Sequence, residues 1–254
     1  MQSRTENELG IPYYQQVAET IKSRILGGMY APGERIPSYR GLEGEFKVSN
    51  ITVRKAIEIL VRDGIITRKR GVGSVVTNSG SEVITFEVSG SFERLRHSAQ
   101  QIPMTIELLE IMEGPCPSHV QRTLSVEPET KIWQMRRVRK HKDTIMSYYI
   151  HYSDPHWCRK ITKREAEKER FVDLLRRGSG IDIVRLEQRV EAAVANLDLS
   201  TILGVSFGAP LLSVENVYYS SLDRPVALTQ IYYRGDRHFY KTTAQLPGRN
   251  LKLS

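Results

Sequence analysis

The chain has 254 residues, 40% of them apolar, enough for a sizeable core in one or two domains. Its net charge of +8 favours a polyanionic partner without the extreme bias of a histone-like protein. Two cysteines, Cys116 and Cys158, lack CxxC spacing and are too few for a disulfide framework, and no apolar run approaches the roughly 20 residues of a membrane span.

The first thirty residues are polar and hold no signal-peptide core, so the expectation is a soluble cytoplasmic protein with no membrane partner. Residues 1–76 carry twelve Lys/Arg and eight Asp/Glu, a net of +4, and the remaining residues also net +4. Local clusters must therefore locate any nucleic acid. In residues 13–27, Tyr14, Val17, Ala18, Ile21 and Ile25 share one helical face, and Gly27-Gly28 ends the helix. Ala31-Pro32-Gly33 is a turn. Ser38 caps a second short helix with Leu42 and Phe46 on one side. Ser49 caps a third helix to Asp63, with Val53, Ala56, Ile57 and Leu60 as its buried stripe and Gly64 as its stop. Arg68-Lys69-Arg70 then leads into two β-rich runs turning at Gly71 and Gly73, a hairpin.

The small polar stretch Thr77–Ser81 marks a boundary, so residues 1–77 form one domain, 78–82 a linker and 83–254 a second domain. In the second domain Val83–Val88, Met104–Met112, Lys131–His141, Ile145–Tyr152, Ile183–Ala195, Pro210–Ser220, Val226–Arg234 and His238–Leu246 are strand-like. Ser118–Leu124 and Asp198–Leu203 are short helices, and Arg159–Arg177 is expected as one longer, solvated, charged helix. The fold class is α+β, with a largely antiparallel sheet. Leu124, Val126, Ile132, Asp143 and Tyr152 recur as Leu203, Val205, Leu211, Asp223 and Tyr232. That is either an internal repeat, with a ligand cleft between its copies, or a chance likeness of two hairpins.

Three short helices and a basic hairpin make a winged helix-turn-helix, whose third helix enters the major groove. Asn50, Ile51, Arg54 and Lys55 lie off its buried stripe: Arg54 suits guanine, Asn50 adenine and Ile51 a thymine methyl. Ser38, Arg40, Ser49 and Thr52 are candidate phosphate contacts, with Lys69, Arg70 and Gly71 in the wing.

The run of helix, PSYR, SNITVR, glycine stop and basic hairpin over residues 11–77 resembles the DNA-binding domain of the GntR family of bacterial regulators. The resemblance implies DNA contacts at Arg40 and Arg54 and a wing tip at Gly71. Asn50 stands where the family usually has arginine, and Tyr39 where glutamate is common, so the family's usual operator is not carried over. From Phe92 to Leu246 the chain is similar to the HutC-type effector domain, the UTRA domain, whose fold resembles chorismate lyase; Arg137-Val138-Arg139 and SSLDRPVALTQIYYRGDRHFY carry the likeness. The family uses that arginine pair for an acidic effector, and alternation puts Arg137 and Arg139 on one strand face.

Ser91, Phe92, Tyr149 and Tyr232 complete the expected effector site. Glu93 after Phe92 disfavours a phosphate, so the expected effector is a small carboxylate. Asp236 is read as capping a turn or orienting an arginine, and His151 to Cys158 fits no standard metal spacing. The resulting expectation is a homodimeric repressor of a pseudo-palindromic operator, with no cofactor and no metal. The alternative is an enzyme of chorismate-lyase-like fold fused to a DNA-binding domain, which lacks any visible triad or acid/base pair.

Overall fold

The computed structural model describes residues 11–77, 84–88 and 103–242. The chain divides into two compact units, Met1–Glu82 and Val83–Ser254.

In the first unit α1 (Tyr13–Leu26), α2 (Tyr39–Phe46) and α3 (Asn50–Arg62) precede the hairpin of β1 (Ile66–Lys69) and β2 (Gly73–Val76). Arg35 bridges to Val75, adding a third extended segment beside the wing. The two serine caps form as their positions dictate: Ser38 accepts from the Gly41 N–H at 3.2 Å and Ser49 from the Thr52 N–H at 3.3 Å. Lys47, in the left-handed region at φ 53°, turns the chain between α2 and α3. Val17, Ile21, Leu42, Val53, Ile57, Leu60 and Ile66 close one small core, so the stripe read from α3 is the stripe that is buried.

The second unit is built on a six-stranded, wholly antiparallel sheet in the order β4-β5-β6-β9-β8-β7. Its strands are β4 (Thr105–Pro115), β5 (Lys131–His141), β6 (Thr144–Ser153), β7 (Ile183–Val194), β8 (Pro210–Ser220) and β9 (Pro225–Arg234). A separate parallel pair joins β3 (Ile84–Val88) to β10 (His238–Thr242). The expected strand over 238–246 is thus found through Thr242, and its remainder lies outside the described residues.

The internal repeat is real in three dimensions. Helix α4 (Ser118–Leu124) with β5 and β6 matches α8 (Leu197–Leu203) with β8 and β9, and both helices end on a left-handed residue, Ser125 and Gly204. The two hairpins meet along β6 and β9, where Ile150 pairs with Gln230, Tyr148 with Tyr232 and Tyr152 with Leu228. The local two-fold passes through the Ile150–Gln230 pair. Both helices lie on one sheet face: α4 packs on Ile132, Tyr152, Val217 and Leu228, and α8 packs on Val138, Tyr148 and Leu211.

The other face carries α5 (Pro155–Cys158), α6 (Lys163–Lys168) and α7 (Phe171–Ser179). These three replace the single charged helix expected over 159–177. A Thr162–Glu165 capping box starts α6, then Glu169 and Arg170 are extended. That break turns α7 so that Phe171, Val172, Leu174 and Leu175 are buried against Trp133 and Met135. Charge count alone hid this apolar stripe.

Candidate functional site

In the first unit the exposed side of α3 is the candidate nucleic-acid surface. Asn50, Ile51, Arg54 and Lys55 all project from it, while Val53, Ala56, Ile57 and Leu60 face inward. Ile51 is 68% exposed, an apolar side chain at the start of a helix. Ser38, Arg40, Ser49, Lys69, Arg70 and Gly71 are exposed as well, and Thr52 is half-buried with its hydroxyl 2.9 Å from that of Ser49. Arg40, Arg54, Lys69 and Arg70 have no ion-pair partner among the described residues, whereas Arg68 lies 4.0 Å from Glu58. Lys55 sits over the Tyr14 ring at 5.6 Å. Gly71 takes φ 75° at the wing tip, a conformation a side chain would strain.

One contact was not foreseen. The side-chain amide of Asn50 donates to the Glu43 carboxylate on α2. Where the family's usual arginine would project a cation, this chain holds a short amide against an acid.

In the second unit the strand register decides which residues share a site. Arg137 and Arg139 do lie on one face, the face of α5–α7, with Ser147, Tyr149 and His151 of β6 and Thr229, Ile231 and Tyr233 of β9. Their environments differ. Arg137 is 3% exposed and hydrogen-bonded within the domain. Its Nη1 donates to the carbonyls of Ala166 at 2.7 Å and Glu169 at 2.9 Å, closing the C-terminus of α6. Its Nε and Nη2 meet His151 Nε2 at 3.2 and 2.9 Å. Burial, reinforced by the charge of Arg139, lowers the Arg137 pKa to about 10.

Arg139 is half-buried, its guanidinium 4.9 Å from the centre of the Tyr149 ring, and no carboxylate pairs with it among the described residues. The Tyr149 phenol raises its pKa against the opposing effect of burial. Tyr149 Oη lies 3.4 Å from Tyr233 Oη and 3.3 Å from Ser147 Oγ. Val214, Ile231, Val190 and Leu212 pack beside these rings. The result is a cation and a row of hydroxyls on an apolar sheet surface, a setting suited to a small anion with a polar body.

Tyr232 does not belong to this group. Paired opposite Tyr148, it stacks with that ring on the α4/α8 face, at a centroid distance of 6.4 Å. Successive strand residues point to opposite faces, so its neighbour Tyr233 takes the place expected of it. Ser91 and Phe92 lie outside the described residues. Arg137 is brought to the site's edge, where Ala166, Glu169 and His151 take four of its hydrogen bonds. Ser147, His151, Thr229 and Tyr233 were missed; only the cross-strand register, which a sequence does not carry, brings them together.

The segment from His151 to Cys158 is used structurally. His151 Nδ1 donates to Thr229 Oγ1 at 2.8 Å, Asp154 accepts from the His156 N–H at 2.7 Å, and burial pushes the Cys158 thiol up to about 12. Asp236 orients an arginine, holding Arg234 through two bonds of 3.0 and 2.8 Å. Among the described residues no helix is long and apolar enough to cross a membrane.

A winged helix-turn-helix joined to an antiparallel-sheet domain of this kind defines a transcription regulator rather than an enzyme. The model of the bacterial regulatory proteins, gntR family, matches residues 13–76, and that of the UTRA domain matches residues 99–238. The chain therefore belongs to the GntR family of bacterial regulators, with the GntR head and UTRA effector-binding domain of its HutC-type members.

The mannosyl-D-glycerate transport/metabolism system repressor MngR of Escherichia coli (strain K12) is 27% identical over 203 residues, 79% of this chain and 82% of its own. The HTH-type transcriptional repressor NagR of Bacillus subtilis (strain 168) is 25% identical over 240 residues, 91% and 93% of the two chains. The crystal structure of PhnF from Mycobacterium smegmatis shares the fold with a TM-score of 0.55 at 21% identity, over 91% of this chain and all of that one.

Proposed function

We propose that this regulator is a repressor that binds a pseudo-palindromic operator as a homodimer and leaves it when a small carboxylate metabolite binds the UTRA domain. The observation that carries the effector class is Arg139: a half-buried cation without a carboxylate partner among the described residues, beside the hydroxyls of Tyr149, Tyr233 and Ser147. Burying a charge without a counter-charge is costly, and an incoming anion offsets that cost. The name of MngR ties that relative to a mannosyl-D-glycerate system, and glycerate is itself a carboxylate.

On the DNA side, Arg54 reads guanine, Ile51 a thymine methyl, and Asn50 an adenine once it leaves Glu43. Ser38, Arg40, Ser49, Thr52 and Lys55 hold the backbone from the helices, with Lys69, Arg70 and Gly71 holding it from the wing. Residues 78–82 serve as the linker through which an effector-domain shift resets the spacing of two reading heads. The protein works in the cytoplasm, where its operator is.

Isothermal titration with a panel of small hydroxy acids, their methyl esters and sugar phosphates tests the effector class. Heat from the free acids alone is the expected outcome. Binding confined to the uncharged or phosphorylated compounds would overturn it.

A further inference from the structure

The six-stranded sheet ends in two edges of opposite character. At one edge, β4 holds Glu107, Glu110 and Glu113 with no basic residue, is bulged between Leu108 and Glu110, and ties its acids to Lys140, Arg136 and Arg159 of its own chain. A second β4 laid against it would meet acid with acid. At the other edge, β7 runs for twelve residues, keeps unbroken register with β8 from Arg185 to Val194, and has no strand on its outer side among the described residues. Proteins normally blunt such an edge with a bulge, a proline or charged side chains. This stretch of β7 has no bulge and no proline, and its charges are of both signs.

We propose that the outer edge of β7 is the seam of the dimer: two copies pair their β7 strands antiparallel about a two-fold axis at Gln188, making one continuous sheet. The proposal rests on the homodimer reading above and adds the surface and register to it.

Charge fixes the register. Arg185, Glu187, Arg189 and Glu191 alternate in sign along one face of the strand. With the axis at Gln188, Glu187 stands opposite the other copy's Arg189 and Arg185 opposite its Glu191, so all four pairs are attractive. Moving the axis to Arg189 sets Arg189 against itself and Glu187 against Glu191. Moving it to Glu187 sets Arg185 against Arg189. On the opposite face the same register places Leu186 against Val190, both half-buried, which continues the apolar surface across the seam.

Gln188, at the axis, is held within its own chain, its Nε2 donating to Asn216 Oδ1 at 2.9 Å. Such an interface is isologous, as a closed two-fold dimer requires.

Sedimentation velocity on the full chain tests the seam. Glu187 and Arg189 are both exposed, so substituting them leaves the core untouched. Glu187→Arg alone and Arg189→Glu alone each place two like-charge contacts in the homodimer and should weaken self-association by about tenfold or more. An equimolar mixture of the two variants should recover dimers, because each supplies the charges that the other lacks. Gln188→Cys should join two chains through a short thiol-specific crosslinker, the native Cys116 and Cys158 being buried.

A dimer that both variants leave unchanged, that mixing does not restore, or that Gln188→Cys does not crosslink overturns the seam while leaving the homodimer reading intact. A wild-type monomer overturns both.

Discussion

Arg137 and His151 face each other across β5 and β6, and the guanidinium donates to Nε2 of the imidazole through two nitrogens at 3.2 and 2.9 Å. This requires a neutral ring protonated at Nδ1, which is the nitrogen that donates to Thr229 at 2.8 Å. The pair joins three strands and, through the Ala166 and Glu169 carbonyls, the end of α6. Arg137 is thus a strut of the effector domain, and Arg139, two residues on, is the proposed anion anchor.

Arg137→Ala is expected to destabilise the protein by on the order of 3 kcal/mol, since it leaves one buried and one partly buried carbonyl and a buried imidazole nitrogen without donors. Arg137→Lys should recover little of this, because an ammonium cannot reproduce the fork. Arg139→Ala should cost well under half as much. Urea titrations of the three variants measure the difference as a shift in midpoint at constant slope.

Acid should weaken the fold from near pH 6.5 downward. Burial, then the charges of Arg137 and Arg139, holds the His151 pKa well below its ordinary value, and burial lowers that of His238 to about 4. The unfolded chain then binds protons that the folded chain refuses. Stability from these two histidines is complete above their unfolded pKa and is lost as pH falls toward the folded values. The expected slope is about 1.4 kcal/mol per pH unit for each histidine below its unfolded pKa, the part due to His238 ending near its folded value of about 4. Urea unfolding at pH 7.5, 6.5, 5.5 and 4.5 reads it, and His151→Gln should remove about half of it.

Arg54→Ala should cost about 1–3 kcal/mol of operator binding and relax discrimination at one base pair. Lys69→Ala or Arg70→Ala should weaken binding to all sequences alike and lower the salt slope by about 1. Fluorescence anisotropy over a salt series, on operator and scrambled duplexes, separates the two behaviours.

Asn50 and Glu43 make a linked pair of predictions. Glu43→Ala removes the acid that holds the Asn50 amide and should tighten binding to non-operator DNA, by up to about tenfold at low salt. Glu43→Gln keeps an acceptor for the amide and should preserve more base discrimination than the alanine. The same anisotropy titrations decide this.

The head could be read almost completely from the chain because its signals are local. The serine caps, the stripe from Val53 to Leu60 and the wing glycines each act within a few residues, and all lie where spacing put them. The effector domain was readable as strands and as a repeat, since Leu124 and Leu203 or Tyr152 and Tyr232 keep their offset. Its site was not, because the contacts that define it are long-range. Ala166 lies 29 residues from Arg137, and a one-residue choice between Tyr232 and Tyr233 decides the sheet face. The helix expected over 159–177 failed for a related reason: the break at Glu169 and Arg170 is set by packing on β5, not by any proline or glycine there.

The most direct test of the account is operator release by an acid in wild type and in Arg139→Gln. With the acid that gives the strongest heat in the titration panel, wild-type protein should lose operator affinity by at least about tenfold, as a coupling of 1–3 kcal/mol requires. Arg139→Gln should bind the operator normally and ignore the acid. Full release of Arg139→Gln at the same concentration of acid would contradict the assignment of Arg139 as the anchor through which an anionic effector governs DNA binding.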